Sequence, residues 1–347
     1  MGDKLATQNE LLVIQSRLTT LFEAMSSSKR ALILPHNDPD PDAIASAVAL
    51  RHLLEQRSVA QADIAYKGII GRVENKGLVR YLDHPLRRLT SADLRQPVAI
   101  ALVDTQPGAG NNALPPQITA AAVIDHHPWR EGTAAAAFAD VRSDVGATST
   151  ILTEYLQAAT LEPPPRLATA LFYGIKTDTM GLGRGASQSD AAAYFYLQPR
   201  IDVDSLVEIE RAQVPPEYFM SLTATLQAAR RYDDVVISYV GQLGYPDLAA
   251  EMADLLLRLE GTRWVVCMGV YQDSLILAAR TRSRRGGAGQ LVRAIVAARG
   301  MAGGHGTMAG GQVQLQGEDP TQLAREFGQR ALQFLQVPSE IVGQPII

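Results

Sequence analysis

The sequence predicts an α/β protein with a parallel-sheet N-terminal domain over residues 1–190, a helical connector over 191–231 and a smaller α/β domain with a mixed sheet over 232–347. Three observations predict it. Short apolar runs and helical patterns alternate up to about residue 190, the order that builds parallel sheets from strand–helix–strand units. From Gln188 to Arg231 the pattern turns continuously helical, broken at Pro199 and at Pro215-Pro216. A second strand-rich stretch then begins at Val235. A length of 347 residues suggests about two domains, and 46% hydrophobic content is ample for two cores.

Taken in order, Leu11, Leu12, Leu18, Leu21, Phe22 and Met25 fall mostly at helical spacing, which reads as a first helix packed on the N-terminal domain. Ala31-Leu32-Ile33-Leu34 is a buried strand, followed by a tight loop and the helical pattern Ala43 to Gln56. Two further strand runs, Val98 to Val103 and Ala120 to Ile124, end on Asp104 and on Asp125-His126-His127. Open parallel sheets bind ligands beyond the carboxyl ends of their strands, so these three ends should converge on one rim. The helical segment Arg166 to Lys176 leads to Asp178, which can reach the rim from the side. The following Gly181-Leu182-Gly183-Arg184-Gly185 neither follows a strand nor opens a helix as a dinucleotide loop would. Arg184 remains a candidate phosphate contact. In the second domain the strand runs are Val235 to Val240, Trp264 to Val270 and Leu275 to Ala279. The helix Gln290 to Ala298, a glycine loop, a strand near Val313 and a closing helix from Thr321 to Leu335 complete it.

Four stretches carry the chemistry: PHNDPDPDA at 35–43, LVDT at 102–105, IDHHP at 124–128 and KTDT at 176–179. The first places His36, Asp40 and Asp42 in the pattern H-x-x-x-D-x-D. A mixed imidazole and carboxylate set suits manganese, iron, cobalt or zinc, and manganese is the expected ion. Asp40, Asp42, Asp104 and Asp178 would repel strongly in a cleft of low dielectric, whereas two divalent cations bring the site near neutrality. Two ions about 3.5–4 Å apart can hold a bridging hydroxide and stabilise both the attacking and the leaving oxygen of a phosphoryl displacement. A single Asp after a strand is usually a turn residue or helix cap. The conjunction of all four stretches, in this order, favours the metal reading.

Other features bound the function. Cys267 is the single cysteine and sits in a strand-like run, so an internal disulfide is impossible and thiolate ligation is not expected. The N-terminal residues lack a basic segment followed by an apolar core, and no run reaches the roughly 18 apolar residues of a membrane span. A cytoplasmic location is therefore expected. A net charge of −4 does not suggest a protein that coats nucleic acid duplexes. Residues 261–311 are nevertheless locally basic, with Arg263, Arg280, Arg282, Arg284, Arg285, Arg293 and Arg299 against Asp273 alone. Such a stretch could hold the anionic remainder of a nucleotide, although Arg282, Arg284 and Arg285 also read as a solvated turn.

These four stretches resemble the N-terminal motifs of the DHH phosphoesterase superfamily. Gly300-Met301-Ala302-Gly303-Gly304-His305, followed by Met308-Ala309-Gly310, resembles the glycine-glycine-histidine motif of the DHH-associated C-terminal domain. The chain is most similar to the RecJ-like group that includes nano-RNases and 3′-phosphoadenosine-5′-phosphate (pAp) phosphatases. The resemblance implies His36, Asp40 and Asp104 on one metal ion, and Asp42, Asp104, His126 and Asp178 on the other, with Asp104 bridging. It implies that His127 faces the substrate phosphate and that Asp125 sits behind the site and orients a histidine. It places Arg280 and His305, with Gly303 and Gly304, on the nucleotide. Pro41 stands where the family commonly has glycine, which biases Asp40 towards an extended conformation. Asp38, Met180 and Ala302 also depart from the pattern, and no ligand position is lost.

The activity implied is hydrolysis by a metal-bridging hydroxide of short nucleotide substrates bound between the domains: oligoribonucleotides of a few residues, linear dinucleotides or pAp. The partners implied are short single-stranded RNA or DNA oligonucleotides or mononucleotide bisphosphates, with no membrane, and a homodimer is compatible. The same metal motifs serve family inorganic pyrophosphatases and exopolyphosphatases, but those carry a different associated domain without the glycine-glycine-histidine motif. A long-strand exonuclease is disfavoured because 347 residues leave no room for a further strand-binding domain. A non-catalytic nucleotide sensor on this fold should have lost ligands, and all six are present.

Overall fold

The computed structural model describes residues 8–59, 61–95, 98–283 and 285–347. Arg284 of the basic stretch lies outside the described residues, and so does the side chain of His305. The chain divides into two units, 1–212 and 213–347.

The first unit opens with helix α1 (Gln8–Met25) and strand β1 (Arg30–Pro35), followed by α2 (Pro41–Gln56), β2 (Gln61–Tyr66), α3 (Val73–Tyr81) and β3 (Leu86–Arg88). Strands β4 (Ala99–Val103), β5 (Ala122–Asp125) and β6 (Phe138–Val141) precede α4 (Thr148–Ala158), α5 (Pro165–Asp178), α6 (Gln188–Leu197) and α7 (Val203–Glu210). The sheet order is β3-β2-β1-β4-β5-β6, and every pairing is parallel. Burial on both faces explains why β1 and β4 read as continuous apolar runs without alternation. Ile33, Ala101, Val103 and Ile124 face the larger core with α2, α4 and α5, while Leu32, Leu34, Ile100, Leu102 and Val123 form a second core on the opposite face.

Helix α2 starts where Asp40 accepts the Ala43 N–H (3.0 Å) and Pro41 enters the first turn, a position that needs no amide donor. Its Ile44, Leu50, Leu53 and Leu54 are fully buried, each contributing about 1.5–3 kcal/mol. Helix α1 is tied down by Arg17, which donates to Asp140 of β6 (2.5 Å). Asp140 also accepts from the Tyr155 hydroxyl (2.6 Å) and from Arg142.

The second unit contains α8 (Pro216–Ala228), β7 (Arg230–Tyr232), β8 (Val235–Gln242), α9 (Leu248–Leu256), β9 (Trp264–Tyr271), β10 (Ser274–Thr281), α10 (Ala288–Val296), β11 (Met301–His305), β12 (Met308–Gln314), α11 (Pro320–Phe334) and β13 (Gln344–Pro345). Its sheet runs β11-β12-β10-β9-β8-β7-β13 and is mixed, with β8 and β9 parallel and the other pairs antiparallel. The stretch 191–231, expected as a connector, divides between the units. Ala193, Leu197, Leu206 and Ile209 join the core of the first, whereas Leu222 and Leu226 of α8 pack into a core of the second.

Two expectations for the second unit need correction. The segment holding Gly303 and Gly304 is not a loop but the edge strand β11, hairpinned to β12. Gly304 permits close packing: it has φ +117°, and a Cβ there would lie 2.4 Å from Ala309 Cα. A Cβ on Gly289 of α10 would lie 2.2 Å from the Gly304 carbonyl oxygen. The basic stretch is also partly neutralised, because three of its seven arginines form ion pairs: Arg263 with Asp234 (3.1 Å), Arg280 with Asp254 (2.6 Å) and Arg299 with Glu318. Among the described residues, no helix is long and apolar enough to cross a membrane.

Candidate metal centre

Strand register builds the site. Pro35 of β1 lies opposite Val103 of β4, and Val103 lies opposite Ile124 of β5. The next residues along, His36, Asp104 and Asp125, therefore lie side by side at three adjacent strand ends. Asp42 comes from the first turn of α2 and Asp178 from the last residue of α5. Asp104 has φ +58°, a left-handed conformation uncommon for a residue with a side chain.

Two separate sets of donors meet, His36 with Asp40 and Asp104 and Asp42 with His126 and Asp178, and a third set of Asp104, His126 and His127 overlaps both; the donor atoms of each set lie within 4.8 Å of one another. Asp104, 1% exposed, lies between them: its Oδ2 is 3.5 Å from His36 Nε2 and its Oδ1 is 3.5 Å from His126 Nε2. His36 Nε2 is 3.6 Å from Asp40 Oδ1, and His126 Nε2 is 3.6 Å from Asp178 Oδ2. These separations are too long for hydrogen bonds. They approach the roughly 3.0–3.4 Å between two donors that each bind one ion at about 2.1 Å.

The rings are turned accordingly. His36 uses Nδ1 on the Asn37 carbonyl (2.7 Å), which leaves Nε2 directed at the carboxylates. His126 bonds the Val145 backbone, and its buried Nε2 has no hydrogen-bond partner among the described residues. A buried imidazole nitrogen without a partner, surrounded by carboxylates, fits a cation; the donor set thus passes a test independent of the sequence motif.

Hydrogen bonds orient the carboxylates. Asp42 accepts the Thr148 N–H (2.7 Å) and the Ser149 N–H (2.8 Å) at the start of α4, and Asp104 accepts from the Thr148 hydroxyl (2.9 Å). Gly174 lets α5 come close, since a Cβ there would lie 2.5 Å from Ser149 Oγ and 3.1 Å from Asp42 Cα. Burial, then the charge of Asp40, pushes the Asp42 carboxyl up to about 6. Burial followed by neighbouring aspartates also holds Asp104 and Asp178 well above the ordinary range. Burial depresses His36, but the nearby Asp40 carboxylate and the charge of Asp104 outweigh it, and its pKa stands at about 10. Burial and the neighbouring His127 push His126 down to about 4.

His127 is 40% exposed on its side chain, and its Nδ1 bonds Asp125 Oδ1 (2.9 Å). Asp125 is fully buried behind it. Gln106, unmarked by any sequence signal, donates to Asp125 Oδ2 (2.6 Å) and to the Pro128 carbonyl (3.1 Å), and its Oε1 accepts from the Arg130 N–H (2.8 Å) and the Thr133 hydroxyl (2.9 Å). Arg184 donates to the Asp178 backbone carbonyl (2.8 Å). In the second unit Arg280 is 8% exposed, and both Arg280 and His305 lie opposite Met308 of β12, so the two share one cross-strand row.

Residues 30–175 match the model of the DHH family, N-terminal domain. The chain is 36% identical over 315 residues to the uncharacterized protein MJ1633 of Methanocaldococcus jannaschii, an alignment that covers 90% of this chain and 64% of that protein. The chain thus spans under two thirds of the length of this relative. Among solved structures, an exopolyphosphatase-related protein from Bacteroides fragilis superposes with a TM-score of 0.69 at 13% identity, covering 96% of this chain and 98% of that one. RecJ from Thermus thermophilus, solved in complex with Mg2+, gives a TM-score of 0.48 at 14% identity over 95% of this chain and 53% of its own.

Proposed function

Since the chain belongs to the DHH phosphoesterase superfamily, we propose that it is a two-metal-dependent phosphoesterase acting on short nucleotides: oligoribonucleotides of a few residues, linear dinucleotides or pAp. The observation that carries this reading is the pair of donor sets on either side of Asp104, with His126 Nε2 buried and unpartnered between carboxylates. His36, Asp40 and Asp104 would hold one divalent ion, and Asp42, Asp104, His126 and Asp178 the other, with manganese the expected metal. Such a pair supplies Lewis-acid stabilisation to the oxygens of a phosphoryl group in transfer.

The chain's own residues do the rest. His127, half-exposed and braced by Asp125, directs its Nε2 edge to a phosphate oxygen, while Asp125 fixes the ring's orientation. Gln106 holds Asp125 from behind. Arg280 and His305, with the exposed backbone of Gly303 beside them, would bind the remainder of the nucleotide.

The test is incubation of the purified protein with manganese and labelled dinucleotides, pentamers, long single strands, pAp, cyclic dinucleotides, polyphosphate and pyrophosphate. Rapid loss of dinucleotides or pAp, with long strands spared, is expected. Phosphate release from pyrophosphate or polyphosphate alone would replace this reading with the phosphatase alternative.

A further inference from the structure

We propose that Trp129 is a nucleobase platform beside the metal centre, with Arg130 as its electrostatic partner, so that the loop after the histidine pair selects phosphoesters that carry a base. This rests on the phosphoesterase reading above and specifies the substrate class of the same site.

Trp129 is 55% exposed, and only Pro128 separates it from His127, a span of at most about 7 Å. Exposure alone would mean little, since single apolar residues on a surface are ordinary. The mounting is what distinguishes it. Gln106, itself buried, bonds the carbonyl of Pro128 and the N–H of Arg130, so the backbone on both sides of Trp129 is fastened to one amide. That amide also bonds Asp125, the residue bracing His127. Gly132 seals the loop from below, because a Cβ there would lie 3.0 Å from the Pro107 carbonyl oxygen. A large aromatic ring is thus presented to solvent on a rigid loop that shares its anchor with the histidine facing the site. Beside it, the exposed Arg130 makes no side-chain hydrogen bond or ion pair with any described residue.

The chemistry of such a pair is specific in class and tolerant in detail. An exposed indole stacks on any base, because every base has a π face, and stacking of this kind is worth roughly 5- to 150-fold in affinity per base. An unpaired guanidinium next to it attracts the adjacent phosphate or stacks on the base itself. The loop should therefore favour nucleotides over base-free phosphoesters without choosing among bases.

The chain contains two tryptophans, Trp129 and Trp264, so Trp264→Phe in the full-length protein leaves Trp129 as the only indole reporter. Titration with AMP should quench its fluorescence, and ribose 5-phosphate should not. In kinetics with manganese, the wild-type preference for a dinucleotide over its abasic analogue should shrink roughly 5- to 150-fold in Trp129→Ala and largely return in Trp129→Phe. Arg130→Gln should weaken AMP binding and flatten its salt dependence. Equal quenching by ribose 5-phosphate, no quenching by AMP, or an unchanged base preference in Trp129→Ala would overturn the proposal. If neither dinucleotide nor abasic analogue is hydrolysed, the phosphoesterase reading falls instead, and the fluorescence titration still decides the platform.

Discussion

Neutralising one aspartate should make the metal-free protein more stable while weakening its response to metal. Asp178→Asn is the cleanest such change, because among the described residues its carboxylate accepts no hydrogen bond; the bond from Arg184 goes to its main-chain carbonyl. The donor oxygens of Asp42 and Asp178 lie within 4.8 Å of each other. Two unit charges at that separation repel by about 3.5 kcal/mol at an effective dielectric of 20. The direction of the pH dependence follows from the same groups. Asp42, raised from 3.8 to about 6, and Asp104 and Asp178, held well above 3.8, bind protons more tightly in the folded state, so the stability they confer is full below 3.8 and lost as pH rises through their folded values. His36, raised from 6.5 to about 10, also loses its contribution as pH climbs between those values. His126, lowered from 6.5 to about 4, already has its full contribution above 6.5.

Above pH 6.5 these terms therefore run in one direction, and the chelated wild type should be less stable at pH 8.5 than at 6.5. In EDTA at pH 8.5, Asp178→Asn should exceed the wild type by about 3 kcal/mol, or roughly 6–12 °C in the melting of a unit of this size. With manganese at about 100 times its dissociation constant, the wild type gains about 2.7 kcal/mol and the variant less, so the gap closes or reverses. Scanning calorimetry of both proteins with chelator and with metal measures each quantity. A lower melting temperature for Asp178→Asn in EDTA, or a wild type equally stable at both pH values, would refute the electrostatic reasoning.

Asp104→Ala should lose metal by elemental analysis along with turnover, whereas His127→Ala should keep two ions and lose rate; equal metal loss in both would reverse the assigned roles. Gly174→Ala changes no ligand, yet its methyl would collide with Ser149 and push α5 away from Asp42, so metal stoichiometry should fall, and a full metal complement would show that the helix yields. Gln106→Leu removes the five hydrogen bonds of a buried side-chain amide, one of them to a carboxylate, and should cost about 3–5 kcal/mol in thermal unfolding; a shift under about 1 kcal/mol would mean that water replaces the amide. Cys267 is fully buried, and burial pushes its thiol up to about 12, so a thiol reagent at pH 8 should label it only after denaturant is added.

The parts of this site legible in the sequence are those encoded within a few residues. Each apolar run ends on its own acidic or histidine ligand, so the rim could be read strand by strand, and the capping role of Asp40 follows from Pro41 and the helical pattern behind it. Partnerships between distant segments leave no such trace. Asp42 bonds Thr148 and Ser149 over a sequence separation above 100 residues, and Gln106 is a neutral amide inside a loop with nothing local to mark it. The glycines of 300–306 read as a loop because glycine weakens strand propensity, whereas here Gly300 and Gly304 serve the close approach of β12 to β11 and Gly289 that of α10. Arg280 had the right kind of side chain for an anion, but its ion pair with Asp254 on α9 could only be found in three dimensions.

The hydrogen bonds around the aspartates orient them without neutralising them, and this distinction explains how the site can be both preformed and dependent on cations. The start of α4 presents two N–H groups to Asp42, where the helix dipole favours an anion. Even so, the Asp42 carboxyl stays elevated at about 6, because burial and the charge of Asp40 outweigh those donors. Asp104 is likewise held by Thr148 while its backbone sits at φ +58°, a conformation that persists only where the surroundings enforce it. The fold therefore fixes the positions of the carboxylates and leaves their charge unbalanced. Loss of cations should then weaken the first unit without scattering its ligands, and rebinding should need no large rearrangement of the strand ends that carry them.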